Sequence, residues 1–165
     1  MRLKIQMIPK TMYEKNVRSE LTTTEWQQLS RLVRYSAHGT CPICEKENLD
    51  LRDMDAHEVW EYIIERDEKG KKVYIQRLKE IIPVCKACHA TIHIGHTKAL
   101  GQTNHSNCYE RAVDHFMEVN HCGYTKFKEK EMKAHKKWLK RSKHKWKLDI
   151  NKDYINQLLE ERVEV

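Results

Sequence analysis

Two C-x-x-C motifs constrain the fold of this chain more than any other feature of its sequence. Cys41 and Cys44 form the first motif, and Cys85 and Cys88 form the second. Two intervening residues let both sulfurs of a motif face one point, about 2.3 Å from a shared metal ion. Together the motifs complete a tetrahedral set of four thiolates, which predicts a structural zinc site. A pair of redox dithiols would instead need a thioredoxin-like βαβ context, and the sequence shows none.

The composition fits a small protein whose core needs such support. The chain has 165 residues, of which 39% are hydrophobic and 33% charged, so its apolar core is thin. No apolar run approaches the roughly 18 residues that cross a bilayer, and the first residues lack the continuous apolar stretch of a secretory signal. We therefore expect a cytoplasmic protein with no membrane partner, where paired cysteines bind metal rather than form disulfides.

Sequence patterns predict three segments, and the first, residues 1–37, is a helical lead-in. Thr22 and Glu25 have the spacing of a capping box, and apolar residues follow at helical intervals. Gly39 is placed to end that helix in a left-handed conformation. Upstream, the apolar residues from Ile5 to Ile8 predict a short strand.

The second segment, residues 38–100, carries both cysteine motifs and predicts the order strand, loop, strand, helix. Extended structure is expected from Leu49 to Val59, a polar turn at 67–72, and a second strand around Val73 to Gln76. A helix is predicted from Cys88 to about residue 96. The fold class is therefore α+β, with a ββα module held by a four-cysteine zinc site between helical flanks.

The third segment, residues 101–165, predicts a helical and basic extension. Apolar residues recur at helical spacing from Ala112 to Val119, with Gly123 closing that helix, and again within residues 125–142. Residues 146–150 alternate like an extended segment, and residues 154–159 suit a last short helix. Residues 126–147 hold eleven Lys or Arg and two Glu, a net charge of +9, whereas the whole chain carries +7.

This basic block predicts a polyanionic partner, although a solvated lysine-rich helix would show the same charge. Side chains of this kind contact phosphates without reading sequence, and their affinity falls with salt. No helix-turn-helix or finger motif supplies a sequence-reading element, so we expect weak or no base specificity. The candidate nucleic-acid contacts are Lys133, Lys136, Lys137, Lys140, Arg141, Lys143, Lys145 and Lys147.

Three of the ten histidines fall where the cysteine motifs would bring them together. His89 and His93 lie at i and i+4, on one face of the predicted helix, where two imidazoles can hold one divalent ion. His57 lies on the strand opposite. A metal ion beside a free histidine is an arrangement suited to attack on a phosphodiester, since the ion neutralises charge and the histidine accepts a proton.

The order of these motifs resembles the zinc-stapled branch of the HNH endonucleases. The matching residues are C-P-I-C at 41–44, D-A-H-E-V-W at 55–60 and I-I-P-V-C-K-A-C-H-A-T-I-H at 81–93. The resemblance covers roughly residues 38–96 and implies a ββα-metal, treble-clef-like module. The flanks also resemble HNH proteins of bacteria and phages, at residues 57–60 and 146–149.

The resemblance implies a role for each matched residue. His57 matches the general base, while His89 and His93 match the residues that hold a catalytic divalent metal such as Mg²⁺, Mn²⁺, Ni²⁺ or Zn²⁺. The four cysteines match the ligands of a structural Zn²⁺. The implied activity is hydrolysis of phosphodiester bonds in nucleic acid, with DNA favoured over RNA, leaving a 5′-phosphate and a 3′-hydroxyl.

Two positions depart from the HNH pattern. Ala56 stands where the family often has a metal-binding Asp or His; Asp55 or Glu58 can substitute for it, or His57 can bind the metal while Glu58 acts as the base. The middle Asn of the family falls near Glu80. These departures keep open the alternative of a non-catalytic, zinc-stapled nucleic-acid-binding module with a degenerate site. A third class, a zinc-held protein-interaction domain, predicts no salt-dependent binding to DNA or RNA.

Overall fold

A long β-hairpin organises the computed structural model, which describes residues 2–160. Strands β1 (Met54–Arg66) and β2 (Lys72–Cys85) pair antiparallel from one end to the other. The polar turn between them contains Gly70 at φ +73°, a left-handed conformation that glycine adopts at little cost. Strand β3 (Trp146–Asp149) pairs in parallel with β2, so the strand order is β1-β2-β3.

Seven helices surround this sheet in the described part of the chain, and the fold class is α+β as the sequence predicts. Two short 3-10 turns, Lys10–Met12 and Leu51–Asp53, add to them. The helices are α1 (Val17–Glu20), α2 (Thr23–Tyr35), α3 (Lys86–Ile92), α4 (Ile94–Asn104), α5 (Cys108–Asn120), α6 (Tyr124–Arg141) and α7 (Lys152–Glu160). None of these helices is both long and apolar enough to cross a membrane.

Two apolar clusters hold the elements together. The first lies among α3, α5 and α6, where the buried rings of Phe116 and Phe127 meet with centroids 5.3 Å apart. The second joins α2 and α7 to the sheet, with Leu29 and Ile155 packed in the same cluster as Leu78 of β2. The module of β1, β2 and α3 is therefore supported from both flanking segments.

Several sequence predictions are confirmed at the level of elements. Thr22 and Glu25 form the predicted capping box of α2, with the Glu25 carboxylate accepting from the Thr22 backbone N–H at 2.8 Å. The hairpin with its polar turn, the basic helix α6, the extended segment β3 and the last helix α7 all lie where the patterns indicate. The final five residues of the predicted 101–165 segment lie outside the described residues.

Five local predictions are wrong. Residues 51–53, predicted as extended, form the 3-10 turn Leu51–Asp53. Residues 5–8 form no strand; their extended backbone donates one hydrogen bond, from Gln6 N–H to the Ile92 carbonyl at 2.8 Å. Helix α2 ends at Tyr35, and Gly39 takes its left-handed conformation in the turn beyond. The remaining two concern helix ends: His121 rather than Gly123 ends α5, and the predicted 88–96 helix breaks at residue 93 into α3 and α4.

Candidate metal centres

The four cysteines of the two motifs lie together, at the base of the hairpin and the start of α3. Their sulfurs are all within 4.8 Å of one another, with 3.8 Å between Cys41 and Cys88 and 3.7 Å between Cys44 and Cys85. Four sulfurs at 2.3 Å from a central zinc ion would stand about 3.8 Å apart. This cysteine cluster can therefore hold a structural metal ion such as zinc.

Hydrogen bonds from the surrounding chain support the thiolates of the cysteine cluster. The backbone N–H of Cys85 donates to Cys41 Sγ, and that of Cys88 donates to Cys85 Sγ, each at 3.4 Å. His115 of α5 places its Nε2 3.2 Å from Cys88 Sγ. Such donors orient metal-bound sulfurs and spread their negative charge.

The thiols also interact strongly with one another. Hydrogen bonds from the Cys85 and Cys88 thiols lower the pKa of Cys41, while the contact with Cys41 raises the pKa of Cys85 to about 11. Metal binding requires deprotonated thiols, so a bound cation would stabilise the thiolate form of this cluster.

Three histidines meet where β1 packs against α3. His57 lies on β1, His89 lies on α3, and His93 is the capping residue between α3 and α4. Their ring centroids are 5.3 Å apart for His57 and His89, and 5.0 Å apart for each of the other two pairs. One nitrogen of each ring lies within 4.8 Å of the others, so this histidine cluster can hold a second metal ion.

Asp55 orients one ring of the histidine cluster. Its Oδ2 lies 2.9 Å from Nδ1 of His89, and this contact lowers the pKa of the Asp55 carboxyl. A carboxylate on one ring nitrogen fixes the tautomer and leaves the other nitrogen free to bind metal. Asp55 therefore stands behind the cluster, and it is not among the side chains whose ligand atoms meet.

Burial lowers the pKa of two rings of the cluster, those of His57 and His93. His57 is 2% exposed, and burial together with the charges of His93 and His89 lowers its pKa to about 3. Burial and the neighbouring His89 and His96 lower the pKa of His93 to about 4. Neutral imidazole is the form that binds metal, and Nδ1 of His57 has no hydrogen-bond partner among the described residues.

The residues at and near the two departures from the HNH pattern differ from one another in burial and in strand pairing. Ala56 is 9% exposed and packs in the apolar cluster beneath α2, so it supplies no ligand. Glu58, two residues on, is partly buried, and burial raises the pKa of its carboxyl. Glu80 pairs with Val59 at an irregularity in the hairpin, where Lys79 is the additional residue of β2.

A groove of about 1240 Å³ runs beside the histidine cluster. Its walls come from the N-terminal segment, the start of α4 and helix α6, and its floor comes from β1 and β2. His89 and His93 line it together with Glu58, so the candidate metal site and this carboxylate face the same space. Other lining residues include the carboxylates Glu14 and Glu131 together with Gln6, Met7, Met12, Trp60, Gln76, Lys98, Lys136 and Trp138.

The predicted basic residues lie on α6 and on the segment that follows it. Arg141 differs from the rest, because its guanidinium is half-buried 3.6 Å from the ring centroid of Tyr62. The others are exposed, and none of the eight forms an ion pair within residues 2–160. The exposed ones are Lys133, Lys136, Lys137, Lys140, Lys143, Lys145 and Lys147.

Sequence reasoning missed three residues near these sites. Gln76 and Gln6 line the groove, and His115 contacts Cys88 from a helix that begins twenty residues later in the chain. No local pattern in the sequence marks any of the three, because only the tertiary fold brings them to the sites.

No protein-family model, no curated protein and no solved structure matches this chain. The sequence, the fold and the two candidate metal centres are therefore the whole basis for a functional assignment.

Proposed function

We propose that this protein is a metal-dependent endonuclease of the HNH kind, which hydrolyses phosphodiester bonds in nucleic acid, most readily DNA. One observation carries the proposal: three imidazoles from β1 and α3 have ligand atoms within 4.8 Å of one another, beside a groove bordered by a basic helix. A divalent ion held there would neutralise charge on the scissile phosphate. The cysteine cluster, a closed four-thiolate site, would serve the fold alone.

Of the two roles that the sequence leaves open for His57, the geometry favours metal binding. A general base must contact the water it activates, whereas His57 is not among the residues that line the groove and its ring lies against both other imidazoles. As the third ligand, His57 would also replace the metal-binding Asp or His that the HNH family often has at the position of Ala56. We assign Asp55 to orienting His89, through the 2.9 Å contact with Nδ1.

Glu58 is then the best placed general base. It lines the groove with His89 and His93, and it is close enough to His89 for that ring to act on its carboxyl. Its partial burial raises its pKa, which makes the carboxylate a stronger proton acceptor than an exposed one.

The basic surface supports nucleic acid as the substrate. Lys136 lines the groove, and the neighbouring exposed lysines Lys133, Lys137 and Lys140 of α6 form no ion pair within residues 2–160. Contacts of this kind position the phosphate backbone and carry no sequence information. Affinity should therefore fall steeply as salt rises.

The test is a cleavage assay on supercoiled plasmid, single-stranded DNA and RNA, with Mg²⁺, Mn²⁺ or Ni²⁺ added in turn. We expect metal-stimulated nicking that His89→Ala reduces at least about a hundredfold, because it removes a ligand of the required ion. His57→Ala should lower the affinity for the added metal, whereas Glu58→Gln should keep that affinity and lose cleavage.

His105→Asn is the matched control, since His105 is exposed, lies outside the histidine cluster and has a left-handed conformation that Asn tolerates. It should cleave like the wild-type protein. Salt-dependent binding without cleavage under any metal would instead establish the non-catalytic nucleic-acid-binding module, which the apolar surroundings of Ala56 favour. A protein that shows no binding and no cleavage would exclude both functions.

A further inference from the structure

The groove beside the histidine cluster contains polar groups that the proposed reaction does not use. Five buried side-chain polar atoms lack a hydrogen-bond partner among residues 2–160. Three of them are amide atoms of Gln6 and Gln76, which both line the groove. The other two belong to His57 and to Tyr62, the cross-strand neighbour of Gln76.

Folded proteins leave few buried polar groups unpaired, so the three unpaired amide atoms of Gln6 and Gln76, which both line the groove, indicate a ligand that pairs with them. An apolar ligand would leave the amides unsatisfied. The occupant must therefore present both hydrogen-bond donors and acceptors, because both the amide oxygen and the amide nitrogen of Gln76 lack partners.

Gln76 lies on the middle strand of the sheet and lines the groove. It is 0% exposed and is paired with Tyr62 of β1 on one side and with Leu148 of β3 on the other. Backbone pairing on both sides fixes the direction in which its side chain leaves the strand. An amide that offers one donor group and one acceptor is suited to the edge of a nucleobase, as in the bidentate pairing of Gln with adenine.

The walls of the groove add the flat surfaces that a base requires. Trp60 and Trp138 both line it and are partly buried, and the Lys10 ammonium lies 5.0 Å from the ring centroid of Trp138. Bases stack on aromatic side chains of this kind, while neighbouring lysines contact the phosphates. Lys136 and Lys98 line the same groove.

We propose that the groove binds one unpaired nucleobase of the substrate strand, with Gln76 contacting the edge of the base. The inference rests on the proposed function, and it adds a preference for single-stranded or locally opened nucleic acid. A base can enter a pocket in this way only when it leaves its stack and its partner. The Gln76–Tyr62 pair lies five residues along β1 from His57, about 16 Å at the usual strand rise, so the base belongs to a nucleotide near the scissile phosphate rather than at it.

The test measures binding rather than cleavage, with zinc-loaded protein and no other divalent metal. A labelled twelve-nucleotide single strand is compared, by fluorescence anisotropy, with versions that carry one abasic site at each position in turn. We expect one position at which loss of the base weakens binding about tenfold, the size of one stacked and paired base. The corresponding RNA strand and the DNA duplex are measured in parallel, and the duplex should bind more weakly than the single strand.

Gln76→Met, which keeps the size of the side chain, should remove this dependence on the abasic position and leave backbone binding intact. Gln102→Met, on the exposed face of α4, is the matched control and should retain the dependence. If Gln76→Met loses its zinc or its fold, Gln6→Met tests the same groove from a segment outside the sheet.

Two results would overturn the inference: equal binding of intact and abasic strands at every position, or a duplex that binds as tightly as the single strand. Failure of the proposed function looks different. If the protein selects one base but cleaves with no metal, the base site stands and the nuclease assignment fails. If it cleaves but binds all abasic strands equally, only the base site fails.

Discussion

The two candidate metal sites share helix α3, on which Cys88 and His89 are neighbours. They differ in their ligand sets: the cysteine cluster offers four ligands, whereas the histidine cluster offers three and lies beside a groove. The cysteine cluster has four donors, three of them buried, and backbone N–H groups donate to its sulfurs. The histidine cluster has three donors, and two of them face a large groove. A complete ligand set suits a site that stabilises the fold, and an incomplete one suits a site that admits substrate.

The largest expected effect comes from removing a cysteine ligand. Cys88→Ser should abolish zinc binding and the cooperative thermal transition, because structural zinc contributes about 10–16 kcal/mol in small zinc-dependent folds. Metal content by atomic emission and thermal unfolding by circular dichroism measure both. Cys122→Ser, outside the cluster, should keep its zinc; a Cys88→Ser protein with full zinc and an unchanged Tm would show that the cluster is not a structural site.

Substitution of Asp55, which contacts His89, should have the next largest effect, and this effect should be confined to the histidine cluster. Asp55→Asn should weaken divalent-metal binding at the histidine cluster about 10–100-fold, the usual consequence of losing a carboxylate behind a ligand histidine. Cleavage should recover at high metal concentration. Calorimetric titration with Mn²⁺ measures the affinity, and Asp114→Asn on the exposed face of α5 is the control. An unchanged Mn²⁺ affinity in Asp55→Asn would show that the Asp55–His89 contact does not contribute to metal binding.

The corresponding change at the closed site should affect stability instead. His115→Leu removes the contact with Cys88 Sγ and should lower the free energy of unfolding by about 1.5–3 kcal/mol, as expected for a hydrogen bond to a charged group. Zinc content and Mn²⁺ affinity at the histidine cluster should stay unchanged. Urea denaturation gives the first quantity, and weakened Mn²⁺ binding in this variant would mean that the two sites are coupled.

The smallest effect is expected far from both sites, at the ion pair that joins β2 to β3. Arg77 Nε lies 2.7 Å from Asp149 Oδ2, and this contact lowers the pKa of the Asp149 carboxyl. The pair therefore stabilises the fold fully above the unfolded pKa near 3.9, and this contribution is lost as pH falls through the lower folded value. Asp149→Asn should be slightly less stable than the wild-type protein at pH 7 and equally stable in strong acid.

Local spacing explains what could be predicted from the sequence. The C-x-x-C motifs and the i, i+4 placement of His89 and His93 depend on geometry within a few residues, so the sequence alone indicates the two clusters. The basic helix α6 follows from a regular apolar period in the same way. Nothing in such local patterns determines whether His57 acts as a ligand or as a base, because that depends on its position in the fold, outside the lining of the groove and against both other imidazoles.

The features that could not be predicted depend on strand pairing between segments that are distant in the sequence. Strand β2 continues through Pro83 to Cys85, although proline usually argues against a strand. Strand β3 pairs with β2 only from Tyr74 to Arg77, so near Pro83 the strand has one neighbour and a missing N–H is tolerated. Gln76 reads as one polar residue among alternating ones, and only its position between two strands makes it the floor of a groove.

The most direct test of the account is anomalous X-ray diffraction from crystals of the zinc-loaded protein soaked in Mn²⁺. It should show zinc among the four cysteine sulfurs and manganese about 2.0–2.3 Å from one nitrogen of each of His57, His89 and His93. His93→Ala crystals should retain the first peak and lose the second. A histidine cluster that stays empty at a Mn²⁺ concentration that supports cleavage would contradict the account.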